Sequence, residues 1–395
     1  MIPIAAALSE HPVTAHATGE VIGQVLERGG TRPDLALLFV TPPHAGALED
    51  AARAVESTLE PAVLLGCAAE SVAGPRREVE QSAAVTLWTA GALEADALFL
   101  GSLGPDGPPG WPGEDDLTFR PRAVVLLADP FSFDAESFFE WLDRRHPGLP
   151  VIGGMASAAR GPGGNRLVVG GTSFSAHTGG PARVSSHGAV AALLGTGVRV
   201  DTVVSQGCRP VGQPWAVTRA DGNIVYELAS QPALERLLEL ARRELDQGEV
   251  AIINAGGLHL GRVIDEHRAT FGRGDFLVRN VIGGDQEVGA IAVNDTIEVG
   301  TTVQFHLRDA ASADEDLKAL VAGRRAEGAL LFTCNGRGTR LFRRPDHDVS
   351  VVADALDDAP VAGFFAAGEF GPVGGRNFLH GFTASLALFG TDPSG

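Results

Sequence analysis

Two polar, glycine-containing segments near the C-terminal end of the sequence carry the residues best suited to chemistry. The first spans residues 333–338 (TCNGRG) and directly follows an apolar strand; the second spans residues 368–378 (GEFGPVGGRNF). Open α/β sheets bind ligands at the carboxyl ends of their strands, which is where these residues leave the predicted sheet. Successive glycine N–H groups can converge on an anion, the Arg376 guanidinium can add a bidentate contact, and Glu369 can hold an amine. If the two segments meet across one hollow, they suit a small zwitterion or a carboxylate metabolite.

The same residues allow two other interpretations. A thiol at Cys334, with His347 as base and Asp348 as the group that orients it, has the residue types of a nucleophilic enzyme. A cysteine at the end of a buried strand is usually a small core hydrophobe, so this interpretation is the weaker one and we assign no catalytic residue. The third interpretation is a protein-interaction scaffold without a ligand. A purely structural role is also open, in which Arg376 and Glu369 pair on the surface.

The charge balance of the 395 residues excludes several classes of protein. There are 49 acidic side chains against 31 Lys and Arg, which gives a net charge of −18. Such a protein repels a polyanion or an anionic membrane surface, and its arginine doublets are scattered and lack interleaved aromatic residues. Hydrophobic residues make up 44% and charged residues 20%, which is typical of a folded globular protein. We therefore expect neither a nucleic-acid partner nor a membrane partner.

The sequence indicates neither a metal site, a cofactor nor an export signal. Cys67, Cys208 and Cys334 lie far apart and form no CxxC pair, and the eleven histidines include no HExxH motif. This pattern gives neither a disulfide framework nor a zinc site. The apolar start, residues 1–8, has no cationic stretch before it, and no apolar run approaches the ~18 residues of a membrane helix. We therefore predict a cytoplasmic protein that uses no metal ion and no cofactor.

Alternating strands and helices must position the two polar segments. Residues 35–40 (LALLFV) and 62–67 (AVLLGC) predict buried strands on either side of a helix, which together form a βαβ unit. The clearest helix spans residues 232–246, where leucines recur at helical spacing, and Asp221-Gly222 predicts a hairpin turn. The predicted fold class is α/β to α+β, with two domains that each have a largely β-sheet core of mixed sheets covered by helices.

Three stretches of the chain share a pattern. They begin at Pro61 (PAVLLGCAAESVAGP), Pro150 (PVIGGMASAARGPGGN) and Pro360 (PVAGFFAAGEFGPVGGRN). Each has a proline, a short apolar strand that ends in glycine, small residues and a turn. The glycine indicates that the backbone approaches something closely, either a ligand or another strand. A duplicated architecture is one explanation of the pattern, and chance in a chain rich in Ala and Gly is the other.

Seven strings, in order along the chain, resemble the FIST family, a two-part domain of bacterial signalling proteins and of a eukaryotic F-box protein. They are GCRPVGQPWAVTRADGNIVYEL from Gly207, FLVRNVIGGDQEVGAIAVND from Phe276, VQFHLRDA from Val303, ADEDL from Ala313, FTCNGRG from Phe332, PDHD from Pro345 and GFFAAGEFGPVGGRNFLHGFTAS from Gly363. The resemblance implies an N-terminal segment at residues 1–30, a FIST N-terminal domain at 31–226 and a FIST C-terminal domain at 227–395.

The resemblance also implies a function, namely a sensory role in which small molecules such as amino acids are bound, with no established catalytic residues. The candidate ligand-binding residues that it carries over are Cys334, Asn335, Gly336, Arg337, Gly338, Glu369, Gly374, Gly375, Arg376 and Asn377. Residues 66–71 (GCAAES) depart from the GCSTAGE-like string of many relatives, which removes hydroxyl groups from that loop. No kinase, cyclase, F-box or chemoreceptor module is recognisable, so such a sensor needs a separate downstream signalling protein.

Overall fold

The fold combines mixed β-sheets with helices. The computed structural model describes residues 2–113, 116–174 and 182–391. Among these residues, three of the four sheets contain both parallel and antiparallel strand pairs. The predicted α+β class, with mixed sheets and helices, is therefore confirmed.

The strands and helices are numbered here in chain order. The strands are β1 (Ile4–Ser9), β2 (Leu35–Val40), β3 (Val63–Ala68), β4 (Ser71–Gly74), β5 (Arg77–Glu80), β6 (Val85–Ala90), β7 (Ala95–Leu100), β8 (Ala123–Ala128), β9 (Val151–Met155), β10 (Leu167–Gly170), β11 (Arg183–Ser185), β12 (Ala189–Leu194), β13 (Val198–Gln206), β14 (Cys208–Asp221), β15 (Ile224–Leu228), β16 (Gln231–Pro232), β17 (Leu258–Val263), β18 (Phe276–Asp285), β19 (Ala290–Val293), β20 (Thr302–Arg308), β21 (Gly328–Cys334), β22 (Val361–Ala366), β23 (Glu369–Val373), β24 (Arg376–His380) and β25 (Thr383–Thr391). The α-helices are α1 (Thr14–Gly29), α2 (Leu48–Leu59), α3 (Ala135–Arg145), α4 (Ala233–Arg243), α5 (Gln247–Asn254), α6 (Ala310–Val321), α7 (Thr339–Phe342) and α8 (His347–Ala355).

The chain folds into two compact units that do not follow the order of the sequence. The first comprises Met1–Val204, Leu317–Leu379 and Thr383–Gly395, and the second comprises Ser205–Asp316 and His380–Phe382. The boundary expected between residues 226 and 227 therefore lies inside the second unit. Both polar segments singled out in the sequence belong to the first unit.

Three six-stranded sheets form the first unit, and they share one plan. Their strand orders are β1-β6-β2-β3-β10-β11, β24-β23-β9-β8-β12-β7 and β13-β25-β21-β22-β4-β5. Each sheet contains a parallel pair, namely β2 with β3, β8 with β9, or β21 with β22. The strand that follows each pair leaves for a different sheet, since β4 joins β22, β10 joins β3 and β23 joins β9. The three sheets are thus linked by a circular exchange of strands.

A glycine occupies the same point in each parallel pair. The three glycine–leucine pairs across the strands are Gly66–Leu38, Gly153–Leu126 and Gly363–Leu331. A Cβ atom added at these glycines would lie 2.3, 1.8 and 1.7 Å from the leucine carbonyl oxygen, so no larger residue fits without a shift of the backbone. The self-similar stretches of sequence are these strands, and the group that approaches each glycine is a neighbouring strand. The repeated architecture is therefore threefold.

The central core of the first unit joins residues from all three sheets. Phe39 of β2 packs against Phe332 and Phe364 of β21 and β22, with ring centroids 5.0–6.4 Å apart, and Val125 of β8 belongs to the same cluster. Aromatic pairs at these distances stabilise a core beyond the burial of their area. The ends of the parallel strands are therefore held by rigid packing.

The second unit contains one seven-stranded sheet among the residues described, in the order β14-β20-β17-β18-β19-β15-β16. Asp221 lies opposite Ile224, and Gly222 between them has a φ of 56°, so the predicted hairpin turn is present. The predicted helix at 232–246 is α4, which buries Leu237 and Leu240 against the apolar core of this sheet.

Candidate functional site

The first polar segment forms a tight turn where two parallel strands end. Cys334, the last residue of β21, lies opposite Ala366, the last residue of β22. The Arg337 N–H donates a 2.7 Å hydrogen bond to the Cys334 carbonyl oxygen, and the Gly336 N–H donates to the Cys334 sulfur over 3.4 Å. Gly338 ends the turn with a φ of 59°. The turn leaves Cys334 half-buried and turns the Arg337 side chain into the interior.

The Arg337 guanidinium forms a buried ion pair with Asp348 of α8. Its Nε donates to Oδ2 over 2.7 Å and its Nη2 to Oδ1 over 2.8 Å. Thr333 Oγ1 also donates to Asp348, and the His347 ring contacts the same carboxylate through Nδ1 at 2.8 Å. Burial alone would raise the pKa of Asp348, but the guanidinium and its hydrogen bonds outweigh burial and hold this pKa well below its usual range.

Glu369 is the buried acid of the second polar segment. It begins β23 opposite Gly154 and is fully buried. Its Oε2 accepts hydrogen bonds from the N–H and the hydroxyl of Thr383, at 3.0 and 2.7 Å, and the Cys334 thiol interacts with the same carboxyl group. Burial raises the pKa of Glu369 to about 8 in spite of these contacts and of the Arg337 charge. The carboxyl group is therefore protonated at neutral pH.

A second buried acid, Glu78 of β5, lies beside Asp348 of the ion pair. Its Oε1 accepts a 2.9 Å hydrogen bond from the Val349 N–H at the start of α8. Burial and then the negative charge of Asp348 raise the pKa of Glu78 to about 8. Sequence reasoning missed Glu78, because nothing in its neighbourhood distinguishes it from the exposed charges of a short edge strand.

Together these side chains make up what we term the polar cluster, defined as Glu78, Cys334, Asn335, Arg337, Asp348 and Glu369. Within the described part of the chain, four of its buried atoms have no hydrogen-bond partner of ordinary geometry: Nη1 of Arg337, Oε1 of Glu369, Oε2 of Glu78 and Oδ1 of Asn335. Each such atom costs about 1–3 kcal/mol. One cationic donor and three oxygens are complementary to a small molecule that carries both acceptors and donors.

The structure does not bring four of the candidate residues, Gly374, Gly375, Arg376 and Asn377, to this cluster. Gly374 and Gly375 form the turn between β23 and β24, with φ values of 61° and 80°. Glu369 begins β23 and the turn follows its end at Val373, so about 13 Å of strand separates the two. The two glycines therefore form a hairpin turn. The positive φ values of this turn are enough to explain why glycine occupies both positions.

Arg376 and Asn377 are held by residues near α3. Arg376 is largely exposed, with Nε 3.8 Å from Asp143, beside a surface depression of about 360 Å³. The Asn377 side chain is buried, accepts a hydrogen bond from the Val151 N–H and donates to Asp143 and to the Leu149 carbonyl oxygen. The expectation that both turns face one hollow is not met, because a whole strand lies between them.

The loop after β3 lies beside the polar cluster instead. The Glu70 N–H donates to Ser157 Oγ, which in turn donates to the Phe365 carbonyl oxygen of β22. The Glu70 carboxylate pairs with Arg340, and Arg340 Nη1 also donates to the Asn335 carbonyl oxygen over 2.9 Å. Thus the loop at residues 66–71, whose sequence differs from the GCSTAGE-like string of many relatives, supports the turn at residues 333–338 through these contacts.

Two further features of the described residues concern metal ions and membranes. Over the described ranges, no group of three or more His, Cys, Asp or Glu side chains is arranged to hold a metal ion. The described helices include none with both the length and the apolar character required to cross a membrane.

Comparisons with known proteins identify the family of the chain. Residues 34–231 match the model of the FIST N domain, and residues 233–372 match that of the FIST C domain. The uncharacterized protein Mb0898c of Mycobacterium bovis is 41% identical over 389 residues, which cover 96% of this chain and 97% of that protein. The uncharacterized protein Rv0628c of Mycobacterium tuberculosis is 40% identical over 394 residues, which cover 98% and 99%.

Proposed function

This chain belongs to the FIST family, and on that premise we propose that it is a sensory protein that binds a small zwitterion, such as an amino acid, at the polar cluster. FIST domains are associated with sensory signal transduction. The observation that supports binding here is the pair of buried, unsatisfied atoms on groups of opposite charge type, Nη1 of Arg337 and Oε1 of Glu369. A ligand carboxylate at Nη1 and a ligand ammonium group at Oε1 would satisfy both.

The protonation of Glu369 couples this binding to pH. In the empty protein the carboxyl is neutral at pH 7, because its pKa is about 8. An ammonium group beside it favours the ionised form, so the ligand displaces a proton. A zwitterion should therefore bind more tightly as the pH rises from 6 to 8, and it should release protons that can be measured from the buffer dependence of the binding enthalpy.

The ligand would reach the cluster through the turn. Cys334, Asn335 and Gly336 are half-buried, whereas Arg337 and Glu369 behind them are not exposed. The polar groups that would recognise the ligand thus lie one residue layer below the surface, which favours a small molecule. The adjacent Glu70–Arg340 ion pair lies at this opening, which makes it a candidate for the group that changes when the ligand binds.

A thermal-shift screen tests the proposal. The probes are the twenty amino acids, together with simple carboxylates and amines that carry only one of the two charges. A ligand at a hundredfold excess over its dissociation constant should add about 2.7 kcal/mol to the unfolding free energy. If no compound in this set raises the melting temperature, the proposal fails.

Three variants locate the site. Glu369→Gln should remove the preference for an amine, and Arg337→Lys should weaken carboxylate recognition, since lysine lacks the planar fork of donors. Arg376→Ala is the matched control, because Arg376 lies on the far turn, and its thermal shift should equal that of the unchanged protein. The reverse result, loss of the shift in Arg376→Ala alone, would move the binding site to the hairpin turn.

The sensory role can be distinguished from the two alternatives, a ligand-free scaffold and a cysteine-dependent enzyme. We propose that the chain acts in the cytoplasm through a separate downstream protein. A ligand-free scaffold would give a stable co-purifying protein and no thermal shift with any probe. A cysteine-dependent enzyme would instead lose all its activity on replacement of Cys334 while retaining ligand binding.

A further inference from the structure

The threefold repeat of the first unit identifies the positions equivalent to Cys334. In the parallel pairs, the three repeated glycines lie opposite leucines, namely Leu38, Leu126 and Leu331. Three residues further along each strand, the chain leaves the sheet at Thr41, Asp129 and Cys334. Cys334 thus occupies the position that an aspartate and a threonine occupy in the other two repeats.

Asp129 shows what this position does. Its Oδ2 accepts a hydrogen bond of 3.3 Å from the N–H two residues later, that of Phe131. The Cys334 sulfur accepts the corresponding bond of 3.4 Å from the N–H of Gly336. The sulfur therefore stands where the second repeat places a carboxylate oxygen, and the turn presents a hydrogen-bond donor to it. This arrangement stabilises negative charge on the sulfur.

The surroundings of the sulfur add a cation and an acid. The Arg337 guanidinium interacts electrostatically with Cys334, and its Nη1 is buried and has no partner in the described residues. The Glu369 carboxyl interacts with the thiol, and its Oε1 is likewise buried and unsatisfied. A thiolate next to a cation is a reactive nucleophile, and a protonated carboxyl can supply a proton to a leaving oxygen.

Cys334 also differs from the other two cysteines in access to solvent. It is half-buried, whereas Cys67 and Cys208 are buried. Cys67 lies in the apolar core, where burial raises the pKa of its thiol and suppresses the thiolate. The two buried cysteines thus serve as internal controls in the same molecule.

We propose that Cys334 is a redox-modification site that hydrogen peroxide oxidises to sulfenic acid. The sulfur attacks one peroxide oxygen, so that an S–O bond forms while the O–O bond breaks. Sulfur loses two electrons and the peroxide gains them. The thiol proton is transferred by way of the Glu369 carboxyl to the departing oxygen, which leaves as water: Cys–SH + H₂O₂ gives Cys–SOH + H₂O. This modification requires no bound metabolite, so it can be tested on the protein without ligand whatever the outcome of the amino-acid screen.

The experiment follows oxidation of the intact chain residue by residue. The protein is treated with hydrogen peroxide in the presence of a 1,3-dicarbonyl reagent that traps sulfenic acids, and its peptides are analysed by mass spectrometry. We expect the trapped adduct at Cys334 first, with Cys67 and Cys208 unmodified until the protein unfolds. The proposal is overturned if Cys334 reacts no faster in the folded chain than in urea, or if the buried cysteines react at the same rate.

Substitution of the acid tests the proton transfer. Glu369→Gln keeps the shape but cannot donate a proton, so the oxidation rate at pH 7 should fall on the order of a hundredfold and lose its dependence on pH near 8. Glu60→Gln, an exposed glutamate, is the control and should not alter the rate. An unchanged rate and pH profile in folded Glu369→Gln would remove Glu369 from the reaction. An effect of altered stability on the oxidation rate is distinguished from an effect of the acid by repeating the measurement with Glu369→Asp. This variant keeps the acid and should restore part of the rate.

Discussion

The guanidinium of Arg337 and the carboxylate of Asp348 form two parallel hydrogen bonds, and their side chains are only 1% and 0% exposed. Arg337 lies on the turn after β21, and Asp348 lies in the first turn of α8. The pair therefore ties the turn that carries Cys334 to the helix behind it. A buried pair of this kind adds little net stability over an apolar pair, but loss of one partner leaves an uncompensated charge.

Asp348→Asn should destabilise the protein strongly. The amide has nearly the shape of the carboxylate but no charge, so the Arg337 cation remains buried without a counter-charge. We expect the unfolding free energy to fall by about 3–5 kcal/mol, as measured by urea denaturation. Arg32→Ala is the matched control, since Arg32 and Glu60 form an exposed pair, and it should change this free energy by less than about 1 kcal/mol. Equal effects of the two substitutions would mean that water reaches the Arg337 pair.

Glu369 and Glu78 predict an unusual dependence of stability on pH. Their pKa values are about 8 in the folded protein, above the ordinary glutamate value of 4.5. Between these values the unfolded chain has lost the protons that the folded chain retains, so the unfolding free energy falls as pH rises from 4.5 to 8. Each group contributes a slope of about 1.4 kcal/mol per pH unit.

Glu369→Gln should remove its share of this slope. The variant should be as stable as the unchanged protein at pH 4.5 and more stable at pH 8, because the amide never has to ionise. Urea denaturation across this range measures the difference, and Glu78→Gln provides a second, independent variant. Parallel curves for the variant and the unchanged protein would show that Glu369 ionises normally in the folded state.

The three repeated glycines should not tolerate a methyl group. In Gly363→Ala the new Cβ would lie 1.7 Å from the Leu331 carbonyl oxygen, so the parallel pair would have to separate. We expect a loss of more than about 3 kcal/mol in unfolding free energy. Gly23→Ala in α1 is the control, because no atom lies within 4 Å of its added Cβ, and it should gain up to about 1 kcal/mol. A tolerated Gly363→Ala would contradict the register of β21 and β22.

Much of the fold could be predicted from local patterns. The apolar run of residues 35–40 is β2, the leucine spacing after Pro232 gives α4, and the similarity of the stretches at Pro61, Pro150 and Pro360 reflects three equivalent strands. What could not be predicted is the circular exchange of strands. Pairing of β23 with β9 joins residues more than two hundred positions apart, and no local signal specifies such a partner.

The candidate site was predictable only in part for the same reason. The turn at 334–338 lies at the carboxyl end of a strand, as the pattern indicates. The turn at 374–375 lies at the far end of β23 from Glu369. The burial of Glu369, already a candidate from its sequence motif, could have been recognised by comparison with the other repeats. The equivalent positions are Val72, opposite Phe364, and Leu167, opposite Cys67, so a charged residue replaces an apolar one at a buried point. That contrast requires the strand register and cannot be derived from spacing alone.

Asn377 should matter for stability and not for binding. Its side chain satisfies the Val151 N–H at 2.7 Å, at the start of β9, and the Leu149 carbonyl oxygen at 2.9 Å, just before it. Asn377→Ala leaves these buried groups without partners, so we expect a loss of at least about 2 kcal/mol in unfolding free energy by urea denaturation. Arg376→Ala, one residue earlier and largely exposed, should have no measurable effect on stability. Neither variant should change the thermal shift given by a zwitterion or the rate of Cys334 oxidation, because β23 separates this turn from the polar cluster. A binding defect in Asn377→Ala that persists at temperatures where the variant is fully folded would show that the two ends of β23 act as one site.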